Sequence, residues 1–79
     1  MVEVFKTNVR KLTDAKRLLV LIHERYVHYK ANFDLKDCDN ILRVQNNSGA
    51  IHVQRLVELM EELGFEAEVL PDEVNMLAQ

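Results

Sequence analysis

An α+β sandwich, with four strands and two helices in the order βαββαβ, is the fold class that the sequence predicts. Three observations predict it. Apolar residues recur at helical spacing in two stretches, 13–26 and 53–63. Shorter runs with period two flank each stretch. Breaks are few and sharp, since the 79 residues hold Gly 2 and Pro 1, which leaves little room for long loops.

Met1 to Thr7 reads as the first strand, with Val2 and Val4 alternating against Glu3 and Phe5. Asn8 to Leu12 is a polar and basic connection. Thr13 reads as an N-cap, with Asp14 set against the positive end of the helix dipole. Ala15, Leu18, Leu19, Ile22 and Tyr26 then form one helical face. Ala31 to Leu35 reads as the second strand, with Ala31, Phe33 and Leu35 on one side. Residues 36–40 carry the short polar side chains of a turn. Ile41 to Gln45 follows as the third strand, paired with the second as a hairpin.

The second helix has well-marked ends. Gly64 falls at the C′ position, where a left-handed backbone meets no Cβ clash. Met60 and Phe65 fall at the C3 and C″ positions that close such an end. Ile51 and Leu56 fit a hydrophobic staple around an N-cap at His52. Val53, Leu56, Val57, Met60 and Leu63 form the expected buried stripe. Phe65 to Leu70 is the fourth strand, with Glu66 and Glu68 outward, and Pro71 ends it. The domain is thus expected over 1–70, with 71–79 a short tail.

Two strand–helix–strand units joined by a hairpin interleave into one antiparallel sheet with both helices on one face. This is the ferredoxin-like arrangement, with an expected strand order of 4-1-3-2. Leu19, Ile22, Leu56 and Met60 are expected between helices and sheet.

Within that arrangement the sequence resembles a heavy-metal-associated, copper-chaperone-like domain over residues 2–70. The resemblance rests on Ile51-His52-Val53-Gln54-Arg55-Leu56-Val57, Leu59-Met60 and Leu63-Gly64-Phe65-Glu66-Ala67-Glu68-Val69. These positions serve packing and capping. The family's metal motif, Met-x-Cys-x-x-Cys, has no counterpart between Thr7 and Ala15. No ligand carries over, and fold alone does not assign function.

Composition narrows the field. Lys and Arg total 10 and Asp and Glu 13, for a net charge of −3. Scattered cations among more numerous anions disfavour a phosphate-backbone binder. The apolar run from Leu18 to Ile22 is far too short to cross a membrane, and the first residues do not read as a signal peptide. Cys38 is the lone cysteine, so a reducing cytoplasm is the expected setting.

Candidate sites follow from side-chain chemistry. Cys38 sits in the hairpin with Lys36 and, across the end of the sheet, Arg10 or Lys11. One thiolate does not hold copper or zinc, so a metal site there needs help from a partner chain. Asp34, Asp37 and Asp39 lack the spacing of a calcium loop and read as turn chemistry. His28 and His52 are expected at the end opposite Cys38, within reach of each other, and His23 as a half-buried packing residue. Some small acyl-phosphate hydrolases of this topology use an Arg and an Asn on the first loop and a strand; Arg10 and Asn8 occur here, but no glycine-rich phosphate loop accompanies them. No cofactor is implied.

The open sheet face gives the leading expectation. With Val2, Val4, Phe33, Leu42 and Val44 toward the helices, Phe5 and Ile41 face outward near Arg43. Glu3, Asp34, Glu66 and Glu68 share that face and repel phosphate. An apolar centre with a polar rim suits a protein partner or a homodimer. The sequence therefore predicts a small non-catalytic interaction module with Phe5, Ile41 and Arg43 as partner-binding residues. The alternatives are a metal-binding protein with a non-standard site at Cys38 and, more remotely, a small enzyme.

Overall fold

A computed structural model describes residues 1–36 and 40–70. The six elements are β1 (Val2–Thr7), α1 (Leu12–Arg25), β2 (Tyr29–Asp34), β3 (Ile41–Asn46), α2 (Val53–Glu62) and β4 (Ala67–Leu70). The α+β class stands. The strands form one antiparallel sheet in the order β2-β3-β1-β4. β1 and β3 are central, and β2 and β4 are the edges.

The register decides which side chains meet. Phe5 lies opposite Leu42 on β3 and opposite Val69 on β4. Ala31 lies opposite Val44, and Phe33 opposite Leu42. Residues paired in this way share a sheet face. Phe5, Leu42, Val44 and Ala31 therefore face the helices, where they pack with Ile22 of α1 and Leu56 of α2. A second cluster of Val9, Ala15, Leu18 and Met60 fills the other end.

This placement reverses the expected orientation of β1. Phe5 is 0% exposed, whereas Val2 is 49% exposed. Valine and phenylalanine alternate equally well with either parity, so the pattern of β1 alone cannot choose a face. The cross-strand neighbours choose it. Phe5 meets apolar Leu42 and Val69, while Val2 meets Gln45 and Val4 meets Arg43 and Leu70. Burying the aromatic ring removes the largest apolar area. Glu3 follows Phe5 in parity, so it leaves the open face, and Lys6 joins it.

Smaller departures have local causes. α1 begins at Leu12, with Lys11 at the N-cap and no side-chain cap, so Thr13 lies inside the helix. The expected layer holds Ile22, Leu56 and Met60 fully buried, with Leu19 partly so and Leu18 taking the deeper place. Leu59, absent from the expected stripe of α2, is buried, and Leu63 is exposed at the C-cap.

The end of α2 has the expected geometry. Gly64 adopts a φ of +89°. The Phe65 N–H donates to the Met60 carbonyl at 2.9 Å and the Gly64 N–H to the Glu61 carbonyl at 3.0 Å. Those two bonds define a Schellman end. His52 sits at the N-cap without a side-chain bond. Its backbone N–H donates instead to the Tyr29 hydroxyl at 2.8 Å, which ties the entry of α2 to the start of β2.

Candidate functional site

A groove lies between α1 and the edge strand β2. Leu12, Ala15 and Leu19 stand on one stripe of α1, at steps of three and four residues. Phe33 and Leu35 face them from β2 and the turn that follows it. Together they enclose a concavity of about 760 Å³. Leu12 remains 63% exposed, so the apolar wall is open to an occupant. Arg10, Lys16 and Lys36 rim the groove, with Asp34 the one carboxylate among its described lining residues. Asp34 is engaged locally: its Oδ1 accepts the Lys36 N–H at 3.2 Å. The described lining therefore carries a net positive charge on a chain whose net charge is −3.

The edge strand along this groove is only partly paired. In an antiparallel ladder, alternate residues direct both N–H and C=O away from the neighbouring strand. Ala31 is one of these, since its N–H donates to Nε2 of His23 on α1 at 3.1 Å. The Tyr29 N–H, two residues earlier, donates to the Tyr26 carbonyl at 2.9 Å. The first half of the outer edge is thus capped by α1 and the α1–β2 turn. Phe33 has the same parity, and its outward N–H and C=O have no partner among the described residues. His23 is exposed and makes a hydrogen bond at the sheet edge; the expected half-buried packing role is corrected.

The three expected partner-binding residues separate. Phe5 is in the core, so it is not the anchor of the open face. Ile41 has outward parity, opposite Lys6 and Asp34, but is 7% exposed. Arg43 is outward and exposed, opposite Val4 and Asn32. The aromatic residues of the described strands, Phe5, Tyr29 and Phe33, all share the helix-facing parity, so these strands offer no stacking platform to a base.

Other candidates are resolved in the same way. Cys38, Asp37 and Asp39 lie outside the described residues, as does the tail. Arg10 and Lys36 both line the groove. Asn8 is a strap: its Oδ1 accepts the Glu66 N–H at 2.8 Å, and its own N–H donates to the Glu66 carbonyl at 3.4 Å. Its amide is spent on joining the first loop to the start of β4. His28 and His52 line one small cavity of about 260 Å³ with Arg25 and the stacked rings of Tyr26 and Tyr29, whose centroids are 4.7 Å apart.

The metal chemistry of the resembled family does not fit the first loop. Residues 8–11 are Asn, Val, Arg and Lys, which include no soft ligand. Among the described residues no group of three or more His, Cys, Asp or Glu is placed to hold a metal ion. No described helix is long and apolar enough to cross a membrane.

Sequence reading missed the groove and the His23 bond. A signal for the groove exists in Leu12, Ala15, Lys16 and Leu19, which share a stripe once the helix is started at Leu12. The His23 bond depends on how α1 crosses β2 and has no local signature. No protein-family model, no curated protein and no solved structure matches the chain.

Proposed function

We propose that the chain is a non-catalytic protein-interaction module of ferredoxin-like fold, laid out like a heavy-metal-associated domain without a metal site, and that its partner docks in the groove between α1 and β2. The sheet order supports the fold reading. Read from the β4 edge, β2-β3-β1-β4 becomes 4-1-3-2.

The observation that carries the functional reading is the lining of the groove: an open apolar wall rimmed by Arg10, Lys16 and Lys36. Apolar concavities with a few charged groups at the rim are the common form of a docking surface. None of the three cations forms an ion pair among the described residues, so an acidic partner meets no internal competitor. A second copy of the chain fits this groove less well. Two-fold pairing there sets each cation cluster near its own image, and like charges in register oppose association.

The test is a selection. Immobilised protein is panned against a displayed library of random peptides, with a Lys16→Glu/Lys36→Glu double variant as the comparison. The expected survivors are rich in Asp and Glu, and the double variant retains them about tenfold less. No enrichment, or enrichment indifferent to the two reversals, counts against the reading.

A further inference from the structure

We infer that the groove's occupant is an extended acidic segment that adds to the free half of the β2 edge as a fifth strand. The inference rests on the groove being the docking site. It adds the backbone form and chemistry of what docks there.

Three observations converge on it. First, the outer edge of β2 is capped where it leaves the groove and uncapped where it lines it. The Tyr29 N–H is taken by the Tyr26 carbonyl and the Ala31 N–H by His23. The outward N–H and C=O of Phe33 and the C=O of Ala31 have no described partner. A free edge of this kind is a template for another strand.

Second, the dimensions agree. Leu12 to Leu19 spans about 10 Å of helix at the usual rise. That length takes about three to four residues of added strand. A helix as occupant would cover the apolar wall but leave the edge amide of Phe33 unpaired beside it, which a water-excluding contact penalises.

Third, the chemistry of the occupant follows from period two. An added strand points alternate side chains at the α1 wall and at the opposite side. Leu12, Leu19 and Phe33 call for apolar residues at the wall-facing positions. Arg10, Lys16 and Lys36 at the rim of the same wall call for Asp or Glu at the flanking wall-facing positions. His23, on the same stripe of α1 four residues past Leu19, closes the far end by occupying the Ala31 N–H. The occupant is therefore expected to pair with Phe33 and to stop short of the Ala31 N–H.

Peptides about ten residues long, within the range of natural strands, are selected on the wild-type protein from the same library. The expected survivors carry apolar residues at period two, with Asp or Glu at the flanking positions of the same parity. One survivor is then added to the uniformly labelled protein at about tenfold its Kd. Amide exchange at Phe33 is expected to slow about tenfold, as the unbound fraction falls to roughly one in ten. N-methylation of alternate peptide nitrogens, which removes the edge-facing donors of one register, is expected to weaken binding about tenfold or more in that register alone. Survivors with apolar residues at helical spacing, unchanged exchange at Phe33, or indifference to N-methylation in both registers overturn strand addition while leaving the groove as a docking site. Absence of any binder that depends on Lys16 and Lys36 overturns both.

Discussion

Phe5 and Val4 are neighbours on one strand, and what stands across from each decides their fates. Phe5 has Leu42 and Val69 as partners and belongs to a core cluster that includes residues of both helices. Val4 has Arg43 and Leu70. Phe5→Ala is therefore expected to cost about 3–5 kcal/mol in denaturant unfolding. Val2→Ala, at a half-exposed site, should stay within about 0.5 kcal/mol. The reverse ranking would place β1 in the other register. Thr7 gives a second residue-scale expectation. Its buried hydroxyl donates to the Asn40 carbonyl at 2.6 Å and accepts the Val9 N–H at 3.2 Å. Thr7→Val keeps the shape and removes both bonds, leaving a buried N–H unpaired, and should cost about 1–3 kcal/mol. A Tm equal to that of the parent would mean that water or backbone movement replaces the hydroxyl.

At the scale of elements, the helix ends separate local chemistry from tertiary consequence. Gly64 has open space where a Cβ would be added, but its φ is +89°. Gly64→Ala should thus cost about 1–2 kcal/mol through backbone conformation alone, measured as a lower denaturation midpoint with an unchanged slope. The start of α1 is improvable. Lys11 sits at the N-cap in an extended conformation with no side-chain bond, and Asp14 lies three residues on. Lys11→Ser supplies a cap and removes a cation from the positive end of the dipole. A gain of about 0.5–2 kcal/mol is expected, read as a rise in Tm. The same contrast explains what the sequence made legible. Gly64, Phe65 and Met60 announce the end of α2 because a Schellman end is closed by residues within one turn. The face of β1 is not announced, because it depends on a register with β3 that lies far along the chain. Separate alternations put Leu42 inward and Phe5 outward, and only the pairing of the two shows that these choices conflict. The groove was hidden for a related reason. Starting the first helix at Thr13 leaves Leu12 in a loop and removes the first member of the stripe that forms the wall.

At the scale of the whole molecule, the two apolar clusters raise the question of whether the chain is one cooperative unit. One cluster is built on Phe5, Ile22, Leu42 and Leu56, the other on Val9, Ala15, Leu18 and Met60. Both helices contribute to both clusters: α1 through Ile22 and Leu18, α2 through Leu56 and Met60. Phe33 and Ala67 also pack against each cluster. Losing either cluster therefore strips one face from both helices, and neither helix is long enough to persist alone in water. A chain of this length has a stability on the order of 4–12 kcal/mol, while Leu18→Ala or Leu56→Ala should each remove about 2–5 kcal/mol. Each truncation is thus a large share of the total, and its effect should be global. The tyrosines provide the check. The chain has Tyr 2, namely Tyr29, a member of the Phe5 cluster, and Tyr26, which packs against it. Their fluorescence reports that cluster, whereas far-UV circular dichroism reports all six elements. For the parent and for Leu18→Ala the two signals should give coincident unfolding curves. A Leu18→Ala protein that loses helical signal before its tyrosine signal moves would show two separable units, and the bridging by Phe33 and Ala67 would then be too weak to couple them.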